Sequence, residues 1–222
     1  MSLGSPIRIG RPQLEQEPPW PRSPQYGSSK LDSDESIVNF FFITLLTHFG
    51  QYVSEKTREW SPERRAFTVT KTDPTTGKDI KIFTAMVDGI LRGTTNDAVL
   101  AIVEVKPYLR SRDKNKARMQ ECAEVSAWIA VRPPADLEQG RKKVKTFKRL
   151  LLSQDHHEVW VTFAMFQAEY VDFVQGRKVE ATPLLTFQTW GPFPTNSSSS
   201  TKSFAHIIAT VIKQGNIDGN DS

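Results

Sequence analysis

The stretch Ala98-Val-Leu-Ala-Ile-Val-Glu-Val105 constrains the chain most, because Glu104 is its only polar residue. A run this short without polar alternation is the pattern of a β-strand buried on both faces. A second apolar run precedes it, Phe83-Thr-Ala-Met-Val-Asp-Gly-Ile-Leu-Arg92, and Gly93-Thr94-Thr95-Asn96-Asp97 joins the two. Those five residues have turn chemistry, so an antiparallel pair closed by a tight connection is predicted.

Charge gathers where the apolar pattern ends. Side chains two apart on a strand share a face, so Glu104 and Lys106 project together and Val105 faces away. The antiparallel pairing brings Asp88 beside Glu104. Two carboxylates and a lysine at the rim of a hydrophobic sheet are costly unless they pair or bind a cation. Mg2+ takes oxygen ligands, often one or two carboxylates together with substrate phosphates. A lysine beside such an ion can orient or deprotonate an attacking water. The pattern points to metal-assisted phosphodiester hydrolysis.

Asp88 followed by Glu104-Val105-Lys106 resembles the D…(D/E)-x-K signature of the PD-(D/E)XK nuclease superfamily, in the context strand, turn, strand, helix. Val87 stands where the family name has proline, as in many members. Downstream, Gln120, Ala123-Glu124 and Ala127-Trp128-Ile129 are similar to a Q-x-x-A-(E/Q)-x-x-A-W-I pattern of a group of fungal proteins of this type. Ser153-Gln154-Asp155-His156-His157-Glu158, with the later Ala164 and Tyr170-Val171, resembles the same group. The resemblance implies an α/β (α+β) fold with a restriction-endonuclease-like core, a central mixed sheet flanked by helices. It implies that Asp88, Glu104 and the Val105 carbonyl hold Mg2+ or Mn2+, that Lys106 acts on the water, and that Gln120, with Glu124, steadies the site. It also implies an acidic residue from the first helix; Glu35, Glu55 and Glu63 are the candidates. The partner implied is nucleic acid, DNA ahead of RNA. Two other readings stand beside it: a nuclease fold without catalysis that binds nucleic acid or protein, and a structural ion-pair cluster in an unrelated α+β fold.

Around this centre the chain reads as one domain, 33–215, between polar tails 1–32 and 216–222. Its 222 residues suffice for a proper core. Pro18, Pro19, Pro21 and Pro24 mark the first tail as disordered or extended. From Asp34, Ile37, Val38, Phe41, Leu45 and Phe49 follow helical spacing, with Tyr52 and Val53 beyond them and Glu59 at the far end. Phe67–Thr72 alternates as a strand, Asp73–Gly77 is a turn, and Ile80–Leu91 reads as one longer strand, making a three-stranded meander that Pro107 stops. Asp113–Val131 reads as a helix. Further strands are predicted before a turn at Gln154-Asp155, from Glu158, near Tyr170–Phe173 and over Pro183–Trp190. A last helix capped by Thr201 or Ser203 runs to Gly215.

A net charge of +4 and a pI of about 9.2 permit a polyanionic partner without demanding one. The run Gly140–Arg149 is the densest basic segment; phosphate contact, a nuclear localisation signal and a solvated face are all open for it, and no aromatic ladder accompanies it. Adjacent His156 and His157 would point to opposite faces of a strand and share no metal. A single cysteine, Cys122, excludes an internal disulfide, and the longest apolar run is too short to span a membrane. An intracellular setting, cytoplasmic or nuclear, is the expectation, with no membrane partner.

Overall fold

The computed structural model describes residues 28–51 and 57–214. Its elements in order are α1 (Ser28–Gln51), β1 (Arg58–Ser61), β2 (Arg65–Thr72), β3 (Asp79–Val87), β4 (Gly89–Gly93), β5 (Val99–Lys106), α2 (Lys114–Val131), α3 (Leu137–Lys142), β6 (Phe147–Asp155), β7 (Glu158–Phe166), α4 (Ala168–Val174), β8 (Thr186–Pro194) and α5 (Ser198–Gln214). The proposed tail before Ser28, Tyr52, Val53, Glu55, Gly215 and the 216–222 tail lie outside the described residues. No helix among the described residues is long and apolar enough to cross a membrane.

A six-stranded mixed sheet in the order β1-β4-β5-β6-β7-β8 forms the centre, and β2 and β3 make a separate two-stranded sheet. Among the described strands, only β5 and β6 pair in parallel. A parallel pair needs a long crossover, and α2 supplies it. Helices cover both faces, which is why β5 reads as a nearly continuous apolar run. Ala101, Val103 and Val105 pack with Phe42 and Leu46 of α1 and Phe204 and Ile208 of α5. Ile102 packs the other way, with Val125, Trp128 and Ile129 of α2 and Phe67 of β2. Each large apolar side chain buried this way contributes about 1.5–3 kcal/mol relative to exposure.

The central hairpin has the expected form. Gly89 pairs with Val103 and Ile90 with Ile102, and the Gly93 amide donates to the Ala98 carbonyl at 3.0 Å across the turn. The strand expected over Ile80–Leu91 is instead broken at Asp88: β3 pairs with β2 while β4 pairs with β1 and β5. Gly89 makes the break workable. A Cβ there would lie 2.8 Å from Ile43 Cδ1 and 2.9 Å from the Ser61 carbonyl, so only glycine lets the chain press between α1 and β1.

Other elements depart from the sequence reading. Residues 168–174 are helical, not a strand, because buried Ala168 and Val171 lie three apart and Tyr170 and Val174 four apart, matching one face of a helix against the α2 core. Glu59 sits in β1 rather than at the end of α1. The turn after β6 falls at His156-His157, with His156 at φ +58° and the two imidazole Nδ1 atoms 2.8 Å apart; the histidines are therefore not on a strand at all. α1 begins at Ser28, ahead of Asp34, and α5 begins at Ser198, where the Ser197 hydroxyl accepts from the Ser200 amide at 3.4 Å. The helix over Lys114–Val131 is as expected, with the Asp113 carboxylate capping the Lys116 amide at 3.0 Å.

Candidate active site

Asp88 is fixed by the chain break it occupies. Its amide donates to the Val103 carbonyl at 2.9 Å, and Asn39 Nδ2 of α1 donates to its carbonyl at 2.9 Å. Its Oδ2 accepts from the Val105 amide at 3.0 Å. That bond shows that the Val105 peptide turns toward Asp88, since β4 no longer reaches this far along β5. By the alternation of strand peptides, the Val105 carbonyl points to the same edge.

Glu104 and Lys106 project together from β5 onto the α2 side, and Val105 packs in the opposite core. Lys106 Nζ donates to Glu104 Oε1 at 3.0 Å, both side chains being 3% exposed. Gln120 Nε2 of α2 donates to the same Oε1. Glu104 Oε2 is buried and has no hydrogen-bond partner among the described residues, and the same holds for Glu124 Oε2. Asp88, Glu104, Val105, Lys106 and Gln120 thus line one cavity of about 220 Å³.

Glu35 and Arg64 line it as well. The Arg64 Nη2 donates to Glu35 Oε1 at 2.8 Å and to Asp88 Oδ1 at 2.9 Å. Of the two acidic candidates among the described residues, Glu35 is therefore the one at the site. Glu63 is turned away, paired with Arg65 at 2.9 Å and Arg92 at 3.2 Å.

The electrostatics follow from burial. Desolvation pushes Glu104 up to about 7; Lys106 opposes this and Asp88 adds to it. Glu124 faces Glu104, and burial, then the Glu104 charge, push it up to about 10. Of the two facing carboxyls, Glu124 is pushed the higher. Burial works to lower Lys106, but the neighbouring Glu104 carboxylate outweighs it and holds the ammonium charged. Arg64 is held more firmly protonated, chiefly by the Asp88 charge.

The donor chemistry suits a hard cation. Two carboxylates and Val105 line one cavity, and one carboxylate oxygen, Glu104 Oε2, is buried with no hydrogen-bond partner among the described residues. No group of three or more His, Cys, Asp or Glu is set to hold a metal among the described residues. Mg2+ does not require one, since it completes its shell with waters and substrate phosphates. Lys106 and Arg64 neutralise the carboxylates meanwhile.

Behind Lys106 lies a second buried charge network that sequence reasoning missed. Lys106 is in register with Asp155 and Glu104 with Ser153. Arg110 Nε donates to Asp155 Oδ2 at 2.5 Å, its Nη2 donates to Glu121, and Ser153 Oγ donates to Glu121 Oε1 at 2.6 Å. No local periodicity marks these residues. Arg64 was missed too, lying in a short loop whose partners are 24 and 29 residues away.

The basic run 140–149 lies elsewhere. Arg141 pairs with Asp172 at 2.7 Å, Lys145 with Asp136 at 2.5 Å, and the buried Arg149 donates to the Arg132 carbonyl at 2.5 Å. It opens β6, whereas the site lies at that strand's far end, roughly 23 Å away at about 3.3 Å per residue. Three of its six charges are thus spent on the fold.

Comparison with family models, curated proteins and solved structures gives no match for this chain.

Proposed function

We propose that this chain is a metal-dependent nuclease of the PD-(D/E)XK type, hydrolysing phosphodiester bonds of nucleic acid, DNA ahead of RNA. One observation carries the reading: Asp88, Glu104 and Lys106, all buried, line one cavity, and Glu104 Oε2 has no hydrogen-bond partner among the described residues. A chain does not bury an unsatisfied carboxylate oxygen without cost. The mixed sheet with its α2 crossover supports a restriction-endonuclease-like core, and the single cysteine fits an intracellular setting, cytoplasmic or nuclear.

In this reading Asp88, Glu104 and the Val105 carbonyl would hold Mg2+ or Mn2+, which would supply Lewis-acid stabilisation of phosphate charge. Lys106 orients the attacking water and offsets charge on the scissile phosphate. Gln120 fixes the Glu104 carboxylate from α2, and Glu124 keeps its proton while Glu104 is engaged. Asn39 and the Val105 amide hold Asp88 in place. Glu35 stands ready at the mouth, where Arg64 now joins it to Asp88.

The internal pairing of Asp88 with Arg64 and of Glu104 with Lys106 favours a second reading, the same fold as a binding module without catalysis. Isothermal titration separates them. Saturable Mg2+ or Mn2+ binding that is lost in Asp88→Asn supports the nuclease; no heat with either ion supports the binding module.

A further inference from the structure

We propose that a second cleft, against the same helix as the site, binds an unstacked base and the adjoining phosphates of single-stranded nucleic acid. The cleft has a volume of about 580 Å³ and is lined by Arg110, Lys114, Arg118, Cys122, Trp160 and Phe187 among others. This inference rests on the nuclease reading for its biological sense, and on its own geometry for its existence.

Continuity with the site comes first. Glu104 is in register with Ser153, and Ser153 with Trp160. Directly paired residues share a sheet face, so Trp160 stands on the Glu104 face two strands away, roughly 10 Å at about 4.8 Å per strand. About three stacked nucleotides, at 3.4 Å each, cover that distance. Tyr108 walls the site cavity and Arg110 the cleft; Gln120 faces one and Cys122 the other. A strand whose phosphate lies at Glu104 and Lys106 therefore reaches the cleft with its neighbouring nucleotides.

Charge and apolar surface meet there. Lys114 and Arg118, one turn apart on α2, are exposed, and neither pairs with a carboxylate among the described residues. Arg110 is already committed to Asp155 and Glu121 and stacks over Trp160 at 4.8 Å. The two free cations suit phosphates. Phe187 is half-buried and lines the wall, suiting a base face. Trp160 lines the cleft as well, under the Arg110 guanidinium. Bases stacked inside a duplex cannot enter such a cleft; an unstacked one can. Aromatic and basic side chains from separate segments of the chain are brought together here by tertiary structure.

Cys122 is the chain's single cysteine, exposed, and in the cleft wall, so it reports occupancy directly. The test is alkylation of Cys122 in the full chain, in EDTA, with twelve-residue oligothymidylate, oligouridylate or a twelve-base-pair duplex, beside fluorescence anisotropy of the labelled oligonucleotides. The proposal expects single strands to bind and to slow alkylation several-fold, the DNA and RNA arms deciding which sugar is preferred. Lys114→Glu/Arg118→Glu should remove the protection and flatten the slope of log affinity against log salt by about 1.4, the share of two phosphate contacts on a single strand. Phe187→Ala should weaken binding on the order of tenfold. Binding with unchanged alkylation, unchanged affinity in the charge-reversed variant, equal protection by duplex, or no binding by any oligonucleotide each overturns the cleft. Failure of the nuclease reading looks different: protection persists, but no metal-dependent cleavage accompanies it.

Discussion

Replacing Glu124 with glutamine should make the metal-free protein more stable as pH rises. Glu124 is 2% exposed, and burial, with the Glu104 charge behind it, pushes its carboxyl up to about 10; Glu104 is pushed up to about 7. Both start from an ordinary value of 4.5. A carboxyl raised in the folded state keeps its proton after the unfolded chain has lost it. Its contribution is complete below pH 4.5 and declines as pH rises toward the folded value. Each extra bound proton makes stability fall by about 1.4 kcal/mol per pH unit. Glutamine keeps the size and hydrogen bonding of the protonated acid but does not titrate. From pH 5 to pH 8 the gap between variant and parent can widen by a ceiling of about 4 kcal/mol. Water entry and side-chain movement cut such penalties, and about 2 kcal/mol is expected. Urea denaturation in EDTA at pH 5, 6, 7 and 8 measures this, provided the denaturant slope is the same for both proteins. A gap that stays constant, or one that closes as pH rises, refutes a buried, protonated Glu124.

Two further perturbations probe the surroundings of the site. Arg110→Met leaves the fully buried Asp155 and its neighbour Glu121 without their cation, so a loss of about 3–5 kcal/mol in urea is expected, partly recovered by adding Asp155→Asn. Arg64→Ala removes a half-exposed cation, so stability should change by less than about 1 kcal/mol. The same change should tighten Mg2+ binding in calorimetry several-fold, because nothing then competes at Asp88 and Glu35; weaker binding would assign Arg64 a supporting role instead.

What the sequence disclosed of this site was its local part. The Asp88, Glu104 and Lys106 grouping depends on one tight turn and on the two-residue period of a strand, both visible in the letters. Gln120 was reachable only through its resemblance to a family pattern, since a glutamine on a helix carries no signal alone. The break at Asp88 was hidden because Val87 and Ile90 are equally apolar on either side; only the close approach of Ile43 and Ser61 to Gly89 demands it. Tyr170-Val171-Asp172-Phe173 misled because its residues favour strands, while their burial against α2 follows a helical period. Arg64, and the Arg110, Asp155, Glu121 and Ser153 network, join residues far apart in the chain, and no local pattern encodes such pairings.

Cleavage itself tests the central claim most directly. Plasmid, linear duplex, single-stranded DNA and RNA would each be incubated with the protein in Mg2+, Mn2+ or EDTA, beside Lys106→Ala and Asp88→Asn, with circular dichroism to confirm that both variants fold. The account predicts cutting of at least one substrate that requires the metal and disappears in both variants. Cutting that persists in the variants would contradict the site, and no cutting of any substrate would contradict the nuclease.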